Sequence, residues 1–359
     1  MRNLSTLAVA AYGGVWDAVV ADTDADDAVY ALRCEVHGEL ARLTIARLDA
    51  HGCEELAALA VVAPPPGVPR AIADFRLLAD GGTATSNAPA LSVVTTGGDI
   101  VVLPVGADAP ALPADIVGSV DRGILAAAWS PDEDVLVLVT APADASQLLL
   151  MSRDYTVLHE TRLATAAFGD DAPINVGWGS KATQFHGSEG KQAAMAAAVA
   201  PAPGDPRGPL VPDDDGLARI AWRADGSFFV VSAVEAHTDG TRHRILRIYT
   251  RSGSLSATSD ASVRGISHVL AVRPVGNVIA TTQRMGAPWA PGRSGRHDVV
   301  FFERNGLRHN EFSLREEAGA APDEAAPLPP WATEHAVRAL AWNADGSVLA
   351  VHLARGTSD

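Results

Sequence analysis

Residues 217–234 read LARIAWRADGSFFVVSAV. A short apolar stretch ends at a tryptophan, a turn of Arg, Ala, Asp and Gly follows, and an apolar, aromatic run resumes: the pattern of an antiparallel hairpin. The same sentence recurs as ILAAAWSPDEDVLVLVT from Ile124, HVLAVRPVGNVIATTQ from His268 and VRALAWNADGSVLAVHL from Val337. Each copy has the form of the inner half of a β-propeller blade.

Spacing supports the repeat. Trp129, Trp178, Trp222, Val272 and Trp342 hold the same place in successive copies, at intervals of 49, 44, 50 and 70 residues. Propeller arrays repeat at about 40–50 residues per blade, and the long last interval contains two insert-like stretches, GAPWAPGRSGR from Gly286 and REEAGAAPDEAAPLPP from Arg315. A weaker copy from Ala71 places Phe75 at the Trp129 position, and VWDAVVADTDADDAVYALRCEVHGELARLTIARLD supplies one more blade before it. Outer strands follow in QLLLMSRDYTVLHE, RILRIYTRSGSLSA and DVVFFERNGLRHNEF, where Arg-Asp, Arg-Ser-Gly and Arg-Asn-Gly signal tight turns.

The expected fold class is therefore all-β: a single WD40-type β-propeller over residues 1–359, seven-bladed, with the last blade broken off after its second strand. The Pro- and Ala-rich stretches 196–216 and 315–335 read as mobile loop inserts, because the repeat resumes in phase after the first of them. EELAALAVV from Glu54, ending in Pro64-Pro65-Pro66, is the one helical candidate.

The chain is 47% hydrophobic and 20% charged, as folded domains are, and no apolar run approaches the roughly 20 residues of a membrane helix. MRNLSTLAVAAYGG at the start faintly imitates a signal peptide, but Gly13 and Gly14 break the run, and a first strand accounts for it equally well. Two cysteines suit a reducing compartment, so a cytoplasmic location is expected, with the nucleus as a second one. A net charge of −15 opposes attraction to phosphate backbones, so no autonomous nucleic-acid binding is expected.

Both lysines of the chain lie in GWGSKATQFHGSEGKQA, residues 177–193. A phosphate loop needs glycine five residues before its Gly-Lys pair and a hydroxyl after it; Phe185 and Gln192 stand there instead. Lys181, Gln184, Phe185, His186, Glu189 and Lys191 then form either a protein-contact patch or a solvated turn pair. Cys34, His37, His51 and Cys53 offer thiolates and imidazoles, the donors zinc prefers, at a spacing foreign to the common fingers. The acidic runs DTDADDA from Asp22 and DDDG from Asp213 lack the EF-hand pattern and read as solvated loops. The tryptophans read as core pieces, and no motif calls for catalysis, a cofactor or a resident metal.

INVGWGSKATQFHGSEGKQA, AWSPDEDVLVLVT, AWRADGSFFVVSAV, HDVVFFERNGLRHNEF and LAWNADGSVLAVHL together resemble the N-terminal part of the largest subunit of the Elongator complex, the IKAP family. The resemblance spans almost the whole chain, and its most specific element is VGWGSKATQFHGSEGKQA. It implies a first propeller of a longer scaffold protein, without the family's helical dimerisation region or its basic tRNA-contacting segment. The implied partners are other Elongator subunits, including the radical-SAM, acetyltransferase-like one that modifies the wobble uridine of certain tRNAs; tRNA would be met only through the complex, and no membrane is involved. A generic WD40 peptide-binding module and a propeller enzyme with a central-channel site are the alternatives.

Overall fold

The computed structural model describes residues 15–21, 29–49, 52–79, 88–105, 113–141, 146–163, 169–170, 209–211, 213–236, 242–260, 263–284, 297–314 and 335–355. Among them are 22 strands and no helix. The first sheet is β1 (Ala18–Ala21), β2 (Val29–His37), β3 (Leu40–Asp49) and β4 (Gly52–Val62). The second is β5 (Ile72–Leu78), β6 (Ala90–Thr95), β7 (Asp99–Pro104) and β8 (Asp115–Ser119). The third is β9 (Ile124–Trp129), β10 (Val135–Thr140), β11 (Gln147–Ser152) and β12 (Val157–Arg162). The fourth is β13 (Arg219–Trp222), β14 (Phe228–Ala236), β15 (Arg242–Thr250) and β16 (Leu255–Thr258), and the fifth β17 (Ala271–Val272), β18 (Val278–Arg284), β19 (His297–Glu303) and β20 (Arg308–Ser313). β21 (His335–Trp342) and β22 (Leu349–Arg355) form a pair.

Each four-stranded sheet is a meander in which sequence neighbours are hydrogen-bonded neighbours, the blade pattern of a β-propeller. The six sheets coincide with six of the expected blades; the copy around Trp178 lies outside the described residues. The chain divides into two compact units, residues 1–127 with 133–158 and residues 128–132 with 159–359.

Burial follows from the order of strands within a blade. β6 (ALSVVT) and β10 (VLVLVT) are buried at every residue, because middle strands are covered on both faces and so carry mainly apolar residues, with Ser92, Thr95 and Thr140 as buried hydroxyls. In the first unit Leu32, Leu43 and Ile45 of the first blade pack with Leu91, Val93 and Val101 of the second. In the second unit Phe228, Val230, Leu246 and Ile248 pack with Ile279, Val300 and Phe302. β12 and β20 are mostly exposed and mix polar residues with an occasional exposed apolar one, as blade margins do.

Two expectations are corrected. EELAALAVV is not a helix but most of β4, paired along its length with β3; the backbone ladder and half-burial at Leu56, Ala57 and Leu59 override the intrinsic helix preference of Ala, Leu and Glu. The residue that closes β5 is Leu78, fully buried, whereas Phe75 sits mid-strand opposite Val93.

The repeated turn explains the repeated sequence. After Trp222 and Trp342 the chain reverses through paired backbone bonds, Arg223 N–H to Phe228 O (3.0 Å) and Gly226 N–H to Arg223 O (2.9 Å), then Asn343 N–H to Val348 O and Gly346 N–H to Asn343 O (both 3.0 Å). The last turn residue must adopt a left-handed conformation, which glycine does without strain: φ is 66° at Gly226, 85° at Gly276 and 69° at Gly346. Glu133 takes the same place with φ 62°. Its carboxylate accepts the Ala79 N–H at 2.9 Å and lies 3.9 Å from Arg76, a contact no glycine could make.

Gly276 and Gly306 separate two costs of the left-handed position. A methyl group added at Gly276 meets nothing within 4 Å, whereas at Gly306 (φ 80°) it would lie 2.1 Å from the Thr258 carbonyl oxygen. Gly276→Ala is expected to lose about 1 kcal/mol, the intrinsic conformational penalty, and Gly306→Ala about 3 kcal/mol or more, because backbone must move. Urea unfolding of the two variants, with equal losses as the contrary result, checks this.

Candidate functional site

The residues singled out for metal binding do not converge. Cys34 stands mid-β2 opposite Leu43, and Cys53 stands on β4 opposite Leu48, five residues farther along β3. At about 3.3 Å per residue that is some 16 Å along the strand, beyond the span of ligands each about 2.0–2.3 Å from one ion. His37, three residues after Cys34 at the end of β2, faces the other side of the sheet; His51 lies outside the described residues. Cys34 is half-buried, and burial first, then the neighbouring Asp17 carboxylate, pushes its thiol up to about 11, the reverse of what a thiolate ligand needs. The patch Lys181, Gln184, Phe185, His186, Glu189 and Lys191 lies wholly outside the described residues, as does most of DTDADDA.

DDDG behaves otherwise than expected: its middle carboxylate is fully buried. Asp214 and Arg244 both have side chains with no exposed surface, and they form a two-pronged pair, Nε to Oδ2 and Nη2 to Oδ1, each at 2.6 Å. Arg244 lies on β15 opposite Val234, and its third nitrogen, Nη1, donates to the Leu217 carbonyl at 3.0 Å and to the Ser232 hydroxyl at 3.1 Å. All its polar edges are thereby satisfied, the condition under which a buried charge is tolerated. Gly216, with φ 71°, turns the chain so that its own N–H reaches Asp214 Oδ1 at 2.8 Å.

The flanking aspartates extend the cluster. Asp215 is held by Arg219 of β13 and accepts the Leu217 N–H at 3.0 Å; burial acts to raise its pKa, but these donors outweigh it and bring the carboxyl down to about 2. Asp213 accepts from Arg284 Nε of β18 at 3.1 Å and lies 3.7 Å from His297 Nε2 of β19. Burial, reinforced by the Arg284 charge, pushes His297 down to about 4, so the imidazole is neutral at pH 7. His268, also buried, is lowered for the same leading reason. Across the blade, Arg247 of β15, almost fully buried, pairs with Glu235 at the end of β14. Chemically the cluster is a fastener: guanidinium groups hold three consecutive carboxylates and thereby fix the entry of the fourth blade to strands of the fourth and fifth.

The tryptophans serve packing, as expected. Trp129 is buried, Trp222 stands 4.7 Å from Phe229 while donating its Nε1–H to the Ala128 carbonyl at 3.3 Å, and Trp342 lies 6.3 Å from Phe301 with the Arg273 guanidinium over its ring. Trp178 lies outside the described residues.

Compared with known proteins, residues 1–357 match a family model described as the ELP1 first N-terminal beta-propeller. Elongator complex protein 1 of Mus musculus is 38% identical over 261 residues, covering 73% of this chain and 17% of that protein. The proteins of the same name from Schizosaccharomyces pombe and Saccharomyces cerevisiae are each 33% identical, over 263 and 282 residues, covering 73% and 72% of this chain and 18% and 19% of their own length. The chain thus spans less than a fifth of the curated relatives it matches. Among solved structures, the Dos1 propeller aligns with a TM-score of 0.47 at 10% identity, covering 95% of this chain and 68% of that one.

Two measurements probe the cluster. Arg244→Met, which strands the Asp214 carboxylate, is expected to cost about 3–5 kcal/mol, and Arg244→Met with Asp214→Leu much less, since removing both charges also removes the desolvation penalty; urea midpoints of the single and double variants decide it. His297 has its folded pKa below the unfolded 6.5. Its contribution to stability is therefore complete above pH 6.5 and lost as pH falls towards 4. His297→Gln is expected to flatten the fall in melting temperature over that window.

Proposed function

The chain belongs to the ELP1 first N-terminal beta-propeller family, and from that premise we propose that it is a non-catalytic scaffold subunit of the Elongator complex, supporting wobble-uridine modification of tRNA by binding other subunits. The observation that carries the reading is the family match over residues 1–357, accompanied by three relatives named Elongator complex protein 1 at 33–38% identity.

Physical chemistry supports the assembly role. Propeller blades present short edges and many loops while their middle strands stay rigid, which suits docking of several partners. Exposed apolar residues on outer strands, Val157 and Leu158 on β12 and Phe312 on β20, give partners something to bury. The non-catalytic part draws support from the Asp213–Asp215 cluster. A general base needs a carboxylate or imidazole poised to take a proton near neutral pH; here Asp215 is held at about 2 and His297 at about 4. On this proposal tRNA is reached through the complex, consistent with the charge of −15.

Lys181, Gln184, Phe185, His186, Glu189 and Lys191 are proposed as a contact patch for another subunit, on the strength of the segment's place in the family resemblance. Co-expression with recombinant Elongator subunits is expected to retain at least one of them on the tagged chain, and retention of none refutes the assembly role. Lys181→Glu with Lys191→Glu is expected to reduce that retention, and to lower wobble-uridine modification when carried in the full-length protein; unchanged retention and modification refute the patch alone.

A further inference from the structure

Five of the sheets are four-stranded meanders, whereas β21 and β22 form a sheet of two strands. Among the described residues β22 (LAVHLAR) pairs with β21 alone, so its other side is a sheet edge. The directions of its backbone groups follow from the turn before it. Val348 O accepts the Asn343 N–H at 3.0 Å, and in an antiparallel ladder the bonding direction alternates from residue to residue. Ala350, His352 and Ala354 therefore address β21, while the N–H and C=O groups of Leu349, Val351, Leu353 and Arg355 address the edge.

An open row of this kind templates the addition of another strand, and sheets ordinarily blunt it with charge, proline or shortness. The outer edges of the four-stranded sheets obey that rule. β4 carries Glu54 and Glu55, β8 has five residues and opens on Asp115, β12 carries Glu160 and Arg162, β16 has four residues, and β20 carries Arg308 and Glu311. β22 is seven residues long, has no proline, and reaches no Asp, Glu, Lys or Arg before its last residue. Beside and within it Val348 is 59% and Leu353 38% exposed. One face of the pair is already committed, since Leu349 and Val351 pack with Val337 and Leu340 against Val269 and Ala280. What stands open is the edge.

The sequence of β22 fits a second copy of itself. Laid antiparallel about a two-fold axis at His352, Leu349 faces Arg355, Ala350 faces Ala354, Val351 faces Leu353, and His352 faces its counterpart. In that register every edge-facing residue meets another edge-facing residue, as hydrogen-bond exchange requires, and apolar side chains meet across the Val351 and Leu353 pairs. A shift of one residue would set edge-facing groups against groups already bonded to β21, and a shift of two would leave the strand ends unpaired. The result is a sheet of four strands, the number in each of the other five. We propose that β22 is a self-recognition edge, through which two copies of this chain pair antiparallel about His352. One strand per partner is smaller than a standard interface of about 1,600 Å², so the dimer is weak and depends on concentration. This inference rests on β22 and not on membership of the Elongator complex.

Sedimentation equilibrium of the full chain is expected to show a mass that rises with concentration from that of a monomer towards that of a dimer. Leu353→Pro removes an edge-facing N–H in each copy and leaves the bonds to β21 in place, so it is expected to weaken association about tenfold or more. Cysteine cross-linking reads the register without that substitution. Two residues at position 352 sit with Cα atoms about 4.5 Å apart, within reach of a disulfide; two at position 350 sit about 13 Å apart along the strands. His352→Cys is therefore expected to give a disulfide-linked dimer under mild oxidation, and Ala350→Cys no more of it than the parent, in which Cys34 and Cys53 supply the background. A monomer at every concentration, as when another segment occupies the edge, overturns the proposal. So does association untouched by Leu353→Pro, or equal cross-linking of the two cysteine variants.

Discussion

Burial on both faces of the middle strands is the constraint from which the rest of this structure follows. Phe228 and Val230 point to one side of β14 and Phe229 and Val231 to the other, and all four are essentially inaccessible to water. Burying such side chains contributes about 1.5–3 kcal/mol each, but a single sheet cannot hide both of its faces. It needs a neighbour on each side. In the first unit the first and second blades share one core, and in the second unit the fourth and fifth share another. Blades are thus the product of a pattern that no isolated hairpin could satisfy.

Polar chemistry is placed where that apolar packing ends. Asp213, Asp214 and Asp215 precede β13, and their partners Arg219, Arg244 and Arg284 come from β13, β15 and β18. Arginine serves here where lysine would not, because only a planar, forked cation can bind Asp214 along one edge and still donate to the Leu217 carbonyl and Ser232 from another nitrogen. Asp74 is the less complete case: one of its carboxylate oxygens is buried without a donor among the described residues, although the Arg76 and Arg70 charges act on the group. Fully paired buried charges hold structure in place, whereas a buried carboxylate oxygen without a donor costs stability.

Much of the fold is legible in the sequence because local and tertiary demands agree. A tryptophan, a turn ending in glycine and an apolar run specify the same hairpin at Trp222 and Trp342 that the backbone bonds then close. Where local preference and tertiary demand conflict, sequence reasoning fails. Ala, Leu and Glu in residues 54–62 favour a helix, yet the free edge of β3 recruits them as a strand. Glu133 breaks the glycine rule of the turn, and only the structure reveals its compensation in Ala79 and Arg76. DDDG has the composition of a solvated loop, and nothing nearby in sequence announces that Arg244, 30 residues on, will bury its centre.

Taken by itself, the sequence determined the strand-turn-strand unit, because that depends on turn chemistry spanning a few adjacent residues, and its recurrence along the chain determined the repeat. Tertiary structure alone decided which polar residues are paired and which are not. Asp74 and Asp214 are both ordinary aspartates in the chain. One has a buried oxygen with no donor among the described residues, and the other meets an arginine from a distant strand, since the partners of a buried charge are set by how strands come together and not by its neighbours in sequence.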